Sequence, residues 1–244
     1  MTCRYGTDYI LTPLAPGTCA TLENHMSLLM ILDYAGVAVF AATGALAASR
    51  KELDLIGFLF FAAVTGSGGG TVRDLILGRP VFWVMDPTYI LICVVTGAFV
   101  YFTAYYVESR YKLLLWLDAI GLAAYCVLGA AKGMAATGSP TIAIVMGVMT
   151  ATLGGVLRDV LAREPSVLLR PEIYITSALA GAAAFTAAHM MGQPLIVSAG
   201  FGVIISFALR GGAIHYGWTL PRYMSRPGRP PEEALKSSRK KKRR

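Results

Sequence analysis

Residues 65–80 read TGSGGGTVRDLILGRP, and residues 150–165 read TATLGGVLRDVLAREP. Laid on each other, they place Thr65 on Thr150, Gly69 and Gly70 on Gly154 and Gly155, Arg73 and Asp74 on Arg158 and Asp159, and Pro80 on Pro165. The same register, without a gap, carries DYAGVAVFAATGA at 33–45 onto DAIGLAAYCVLGA at 118–130, so Asp33 meets Asp118. A single-position slippage then aligns Pro87 with Pro171 and Gly97 with Gly181. A register held that long marks an internal duplication, and the duplicated unit decides the fold.

The setting of that unit is a membrane. Of 244 residues 55% are hydrophobic and 15% charged, whereas a soluble domain carries about a quarter charged residues. A spanning helix needs about 20 mostly apolar residues, and seven stretches qualify: 31–49, 54–77, 87–107, 116–135, 140–161, 172–191 and 194–211. The chain therefore divides into a leader (1–30), a first three-helix repeat (31–107), a second (116–191), a seventh span (194–211) and a basic tail (222–244). The expected fold is an all-α integral membrane protein of seven transmembrane helices. Three crossings is an odd number, so the second unit enters the membrane from the opposite side and the repeats are inverted. The GQP at 192–194 reads as a tight hairpin that makes the last two spans antiparallel neighbours.

Charge sets the orientation. From Arg222 onward there are 10 Lys and Arg against 2 Asp and Glu, and the rest of the chain holds 12 against 12, so the net charge of +8 belongs to the tail. Beside so many apolar spans the RKKKRR at 239–244 reads as a cytoplasmic tail attracted to anionic lipid, and no nucleic-acid partner is expected. With that tail inside, alternate crossing puts Arg50, Lys51, Arg110, Lys112, Arg163 and Arg170 on the cytoplasmic side, leaving chiefly Arg79 and Lys132 opposite. The N-terminus is then outside and the C-terminus cytoplasmic. Residues 1–25 lack the basic start and apolar core of a signal peptide, and Met26 or Met30 are alternative starts.

Enzyme chemistry finds no support. Cys3, Cys19, Cys93 and Cys126 form no CxxC, and His25, His189 and His215 are widely spread. Neither a metal cluster nor a nucleophile–base set follows from the spacing, and no cofactor is expected. The glycine runs carry the functional signal instead. Successive glycines weaken a helix by roughly 1 kcal/mol each, so the second and fifth spans are expected to kink or break at Gly66, Gly68, Gly69 and Gly70 and at Gly154 and Gly155. The freed backbone groups, with the Thr65 and Thr150 hydroxyls, would line a hydrated pathway; the alternative is that the glycines only permit close helix packing.

Charges inside a span face protein or water. Inversion suggests crossed pairs, Arg73 with Asp159 and Arg158 with Asp74, acting either as a lock or in ion selection. Asp33 and Asp118 are read first as interfacial caps and second as vestibule charge. Lys132, which aligns with Ala47, either snorkels or restricts one mouth of the pathway.

These elements, GGGTVRD…RP and GGVLRD…EP in two three-helix units followed by a seventh helix, resemble the prokaryotic members of the trimeric intracellular cation (TRIC) channel family, also catalogued as the bacterial glycine-transporter domain family. The likeness covers about residues 32–216. It implies a homotrimer in a bacterial inner membrane with a pore in each protomer, bounded by kinked second and fifth spans and passing monovalent cations such as potassium. Leu153 stands where the first unit has Gly68, so the two halves of the implied pore differ. Two functions follow: a passive potassium channel, or a carrier for glycine or a similarly small amino acid. No asymmetrically placed coupling-ion carboxylate stands out in the spans, which together with the resemblance favours the channel.

Overall fold

The structure, a computed structural model, describes residues 16–106, 109–164 and 173–219, with side chains from residue 30 onward. The first half of the leader, Pro165, Arg170, Pro171 and the basic tail at 222–244 lie outside the described residues. Helices follow in the order α1 (Pro16–Arg50), α2 (Leu55–Ile76), the single-turn α3 (Phe82–Met85), α4 (Thr88–Thr103), α5 (Arg110–Thr137), α6 (Pro140–Leu161), α7 (Ile175–Met190) and α8 (Leu195–Tyr216).

Six of these are long and apolar enough to cross a bilayer, and α7 is a shorter apolar helix. At 1.5 Å per residue its 16 residues reach about 24 Å, against a hydrocarbon core of about 30 Å. The expected leader is not wholly separate from the first span: α1 begins at Pro16, well before the apolar window that opens at Met30.

The boundaries follow from local chemistry. Asp54 caps α2 by accepting the Gly57 amide at 2.8 Å, and Pro140 opens α6, where its missing N–H costs nothing. Asp86 accepts the Thr88 amide at 3.0 Å at the start of α4. Hydrogen bonds from the Thr88 side chain, from Tyr34 and from the Thr88 amide hold its carboxyl below the usual range.

Helix ends turn in the left-handed conformation. After α2, Gly78 has φ 63° and the Arg79 amide reaches back to the Asp74 carbonyl at 2.9 Å; after α6, Arg163 has φ 50° and the Glu164 amide reaches the Asp159 carbonyl at 3.0 Å. Gly78 and Arg163 occupy equivalent positions in the two repeats, so one turn is built with and without glycine. The left-handed region costs an L-residue about 1–2 kcal/mol, partly offset by glycine's larger unfolded entropy. Arg163→Gly is therefore expected to stabilise the protein by about 0.5–1 kcal/mol, read as a higher midpoint of thermal unfolding in detergent.

Consecutive long helices run antiparallel between two ends of the bundle. One end gathers Asp33 of α1, Asp86, Tyr89 at the start of α4, and Lys132 late in α5. The other gathers Arg50 with Glu164, Arg110 with the Ser49 carbonyl, and Arg210 with the Ile173 carbonyl. The apolar window of α5 is 67% buried inside the chain and those of α4 and α8 only 28%. Hence α1 and α5 form the centre, while α4 and α8 turn Leu91, Val95, Phe99, Phe102, Phe201 and Ile204 outward from the bundle.

Central contacts come in exchanged pairs. A Cβ built at Gly121 would lie 3.0 Å from the Phe40 ring, and one at Gly36 would overlap the Tyr125 ring. Gly36 is equivalent to Gly121 in the repeat, as Phe40 is to Tyr125, and the two rings meet edge to face at 5.2 Å. Within each repeat an equivalent contact recurs: Gly44 packs on Phe61 and Thr65 as Gly129 does on Met146 and Thr150. The register found in the sequence is thus repeated in the packing.

Candidate functional site

Both glycine runs lie in unbroken helix. α2 continues from Leu55 to Ile76 and α6 from Pro140 to Leu161, so the helix does not break at Gly66, Gly68, Gly69 and Gly70 or at Gly154 and Gly155. The compensation comes from a partner. A Cβ at Gly69 would collide with the carbonyl oxygen of Thr150, and one at Gly154 would lie 2.6 Å from the carbonyl oxygen of Thr65. The two helices therefore cross backbone against backbone, as small residues permit in membranes, and that contact outweighs the poor helix propensity of glycine.

Around the crossing, Gly68 faces Leu157, Gly66 faces Cys93 and the Val37 carbonyl, Gly70 faces the Phe82 ring, and Gly155 faces the Tyr174 hydroxyl. The Thr150 hydroxyl donates to the Met146 carbonyl at 2.6 Å. The Thr65 hydroxyl is buried with no hydrogen-bond partner, a state that costs about 1–3 kcal/mol unless something polar visits it.

The charged pairs are local, where crossed pairing was expected. Arg73, 2% exposed, donates from Nε to Asp74 Oδ1 at 2.8 Å, and its Nη2 lies 2.7 Å from the same oxygen. Arg158, 1% exposed, donates from Nε to Asp159 Oδ1 at 3.0 Å and from Nη1 to Asp118 Oδ1 at 2.9 Å. Adjacent residues project from different sides of a helix, but the long arginine stem bends round until the heads meet. In a low-dielectric interior the nearest carboxylate prevails.

Asp118 is accordingly no interfacial cap. It is fully buried, well inside α5, and neutralises Arg158. Arg210 of α8, also fully buried, stacks its guanidinium 5.0 Å above the Tyr174 ring beside this cluster.

Asp33 is no cap either, lying near the middle of α1. At the opposite end from Arg158 it accepts three donors: Lys132 Nζ at 2.6 Å and the Tyr89 hydroxyl at 3.1 Å on Oδ2, and the Tyr125 hydroxyl at 3.2 Å on Oδ1. This cluster forms a wall of a cavity of about 610 Å³ lined also by Arg79, Phe185 and His189. Lys132 therefore reaches from α5 to Asp33 on α1 at the wall of this cavity. Among the described residues no group of three or more His, Cys, Asp or Glu side chains is arranged to hold a metal.

The sequence-derived residues thus divide among four places. Thr65, Gly69, Thr150 and Gly154 meet at the crossing; Arg158, Asp159 and Asp118 cluster on one side of it, and Arg73 with Asp74 on the other; Asp33 and Lys132 meet at the wall of the cavity, called the vestibule below. Phe82, Tyr89, Tyr125, Tyr174 and Arg210 escaped the sequence reading. Two signals were available, because Tyr89 falls on Tyr174 in the ungapped register and Arg210 is a charge inside the apolar run 194–211.

Comparison with known proteins meets this geometry from outside. The family model described as glycine transporter matches twice, over residues 30–105 and 115–190, two segments in the same register as the repeat. A membrane protein of Vibrio cholerae is 40% identical over 212 residues, which covers 84% of this chain and 87% of that protein. The Escherichia coli inner membrane protein YadS is 39% identical over 198 residues, 79% of this chain and 94% of that protein. Among solved structures, a TRIC trimeric intracellular cation channel orthologue from Rhodobacter sphaeroides is 50% identical with a TM-score of 0.77, covering 79% of this chain and all of that one. With two matches to the glycine transporter model and this resemblance in fold, the chain is a membrane protein that belongs to the TRIC family.

Proposed function

We propose that the protein is a passive cation channel permeable to potassium, with one pathway in each protomer of a homotrimer, running beside the α2–α6 crossing. The observation that carries the reading is the crossing itself. It joins two glycine-bared helices near a buried, unpartnered Thr65 hydroxyl, in a chain 50% identical over the whole length of a relative named a trimeric cation channel. A desolvating cation needs oxygen ligands, and Thr65 is a candidate for one. The Arg73–Asp74 and Arg158–Asp159–Asp118 clusters flank the crossing as locks that hold α2 and α6 in place.

Inverted three-helix repeats followed by α8 fit this reading. Exchanged contacts such as Gly36–Tyr125 with Gly121–Phe40 are what a pseudo-twofold axis in the membrane plane produces. Seven crossings, with α7 among them, are supported by its reach from Tyr174 beside Arg210 to His189 in the vestibule. Arg50, Lys51, Arg110 and Arg163 gather at the end away from the vestibule, which supports a cytoplasmic assignment for that end and an external N-terminus. The tail at 222–244 then meets anionic lipid from the inside.

A second reading, a carrier for glycine, draws on the family description and on the vestibule, whose adjacent Asp33 carboxylate and Lys132 ammonium complement a zwitterion. Planar-bilayer recording tests the channel and its charge selectivity together: in a potassium chloride gradient the current of the purified protein is expected to reverse near the potassium equilibrium potential. Reversal near the chloride potential, or no current, would reject the cation channel.

A further inference from the structure

On each side of the α2–α6 crossing, the last glycine of the run is met by an aromatic side chain. A Cβ at Gly70 would lie 2.6 Å from Phe82 Cε1, and one at Gly155 would lie 2.7 Å from the Tyr174 hydroxyl. Gly70 and Gly155 are equivalent in the repeat, yet the aromatics differ in kind and attachment. In both places an arginine stands against the ring: Arg73 is 6.0 Å from the Phe82 centroid and Arg210 is 5.0 Å from that of Tyr174.

Phe82 has more neighbours of consequence. The Lys132 ammonium lies 5.9 Å from its centroid, and its ring packs edge to face on Tyr89 at 4.7 Å. Lys132 and Tyr89 both bind Asp33 in the vestibule. The Phe82 ring thus stands between the vestibule cluster and the glycine face of α2.

Its carrier, α3, is a single helical turn held to α2 at two points. The Phe82 amide donates to Asp74 Oδ2 at 3.0 Å, and Trp83 Nε1 donates to Thr71 Oγ1 at 2.9 Å. Tyr174, by contrast, is 2% exposed and immobilised by packing, whereas Phe82 is half-buried.

Resting on the channel reading above, we propose that Phe82 is the constriction on the vestibule side of the cation pathway, and that movement of α3 away from Gly70 opens it. An aromatic face attracts a cation within about 6 Å. Here Arg73 and Lys132 hold places around the ring, each already paired with a carboxylate, Asp74 and Asp33, so in this arrangement a permeating potassium ion meets an apolar ring with no free oxygen ligand beside it. Withdrawal of the ring bares the α2 backbone at Gly70 to the vestibule and leaves the two ion pairs facing an open, hydrated gap.

The test uses the full-length protein in potassium-loaded liposomes, with assembly checked by size-exclusion chromatography. Phe82→Ala is expected to raise potassium flux roughly threefold or more over wild type, as removal of an apolar constriction does. Phe82→Leu is expected to fall between the two, and it keeps the test open if the alanine variant does not assemble. Phe82→Cys, treated from the outer side with an impermeant cationic thiol reagent, is expected to lose flux while treated wild type does not. Unchanged or reduced flux in both the Ala and Leu variants, beside a conducting wild type, would overturn the constriction and leave the channel standing. A wild type without potassium flux would overturn both.

Discussion

Arg158→Met is expected to cost the folded protein about 3–5 kcal/mol, the loss seen when one partner is taken from a buried ion pair. The guanidinium is 1% exposed and shared by Asp118 and Asp159, whose side chains are 1% and 9% exposed. Its removal leaves buried carboxylates facing each other without the charge that holds them. Arg50 makes a pair of similar length with Glu164, 2.9 Å, but the two side chains are 29% and 18% exposed and Lys51 stands 3.4 Å from the same carboxylate. Arg50→Ala is therefore expected to cost at most about 1 kcal/mol. Thermal unfolding of the detergent-purified protein compares them directly, and equal losses would mean that burial is not what makes the Arg158 cluster matter.

The second large effect belongs to the crossing. Gly69→Leu is expected to lower stability by about 3 kcal/mol or more and to abolish potassium flux, because even a methyl group at that position collides with the Thr150 carbonyl. Gly154→Leu meets the Thr65 carbonyl in the same way and is expected to match it. Gly200→Ala serves as the control, since a Cβ there meets nothing within 4 Å; it is expected to leave both properties unchanged. Assembled Gly69→Leu and Gly154→Leu proteins with wild-type flux would remove the crossing from the pathway.

What the sequence made legible, and what it hid, divides along a physical line. The duplication was readable because register survives in residue identity, from Asp33 on Asp118 to Arg73-Asp74 on Arg158-Asp159. The continuity of α2 and α6 was not, because helix propensity is a local quantity and the surface that rescues Gly69 is the backbone of Thr150, on a helix in the other repeat. The pairing of Arg73 and Arg158 with their own neighbours depends on how a long side chain bends under burial, which ideal helix spacing does not capture. Asp33 and Lys132 are far apart in the chain, and their meeting follows from α1 and α5 running antiparallel through the centre. The leader at 1–30 was read as a separate segment, yet no proline interrupts the chain between Pro16 and Arg50 and the helix runs through.

In a channel, ions move down their gradient through a continuous path, and flux through the purified protein tests this most directly. Purified protein in liposomes loaded with potassium, placed in a potassium-free impermeant-ion buffer, is expected to develop a potential, negative inside, with no glycine present. That potential is expected to collapse when potassium is equalised, and labelled glycine is not expected to accumulate. The contrary pattern is glycine uptake that saturates and exchanges with unlabelled glycine while a potassium gradient alone produces no potential; it would contradict the channel and assign the family's carrier description to this protein.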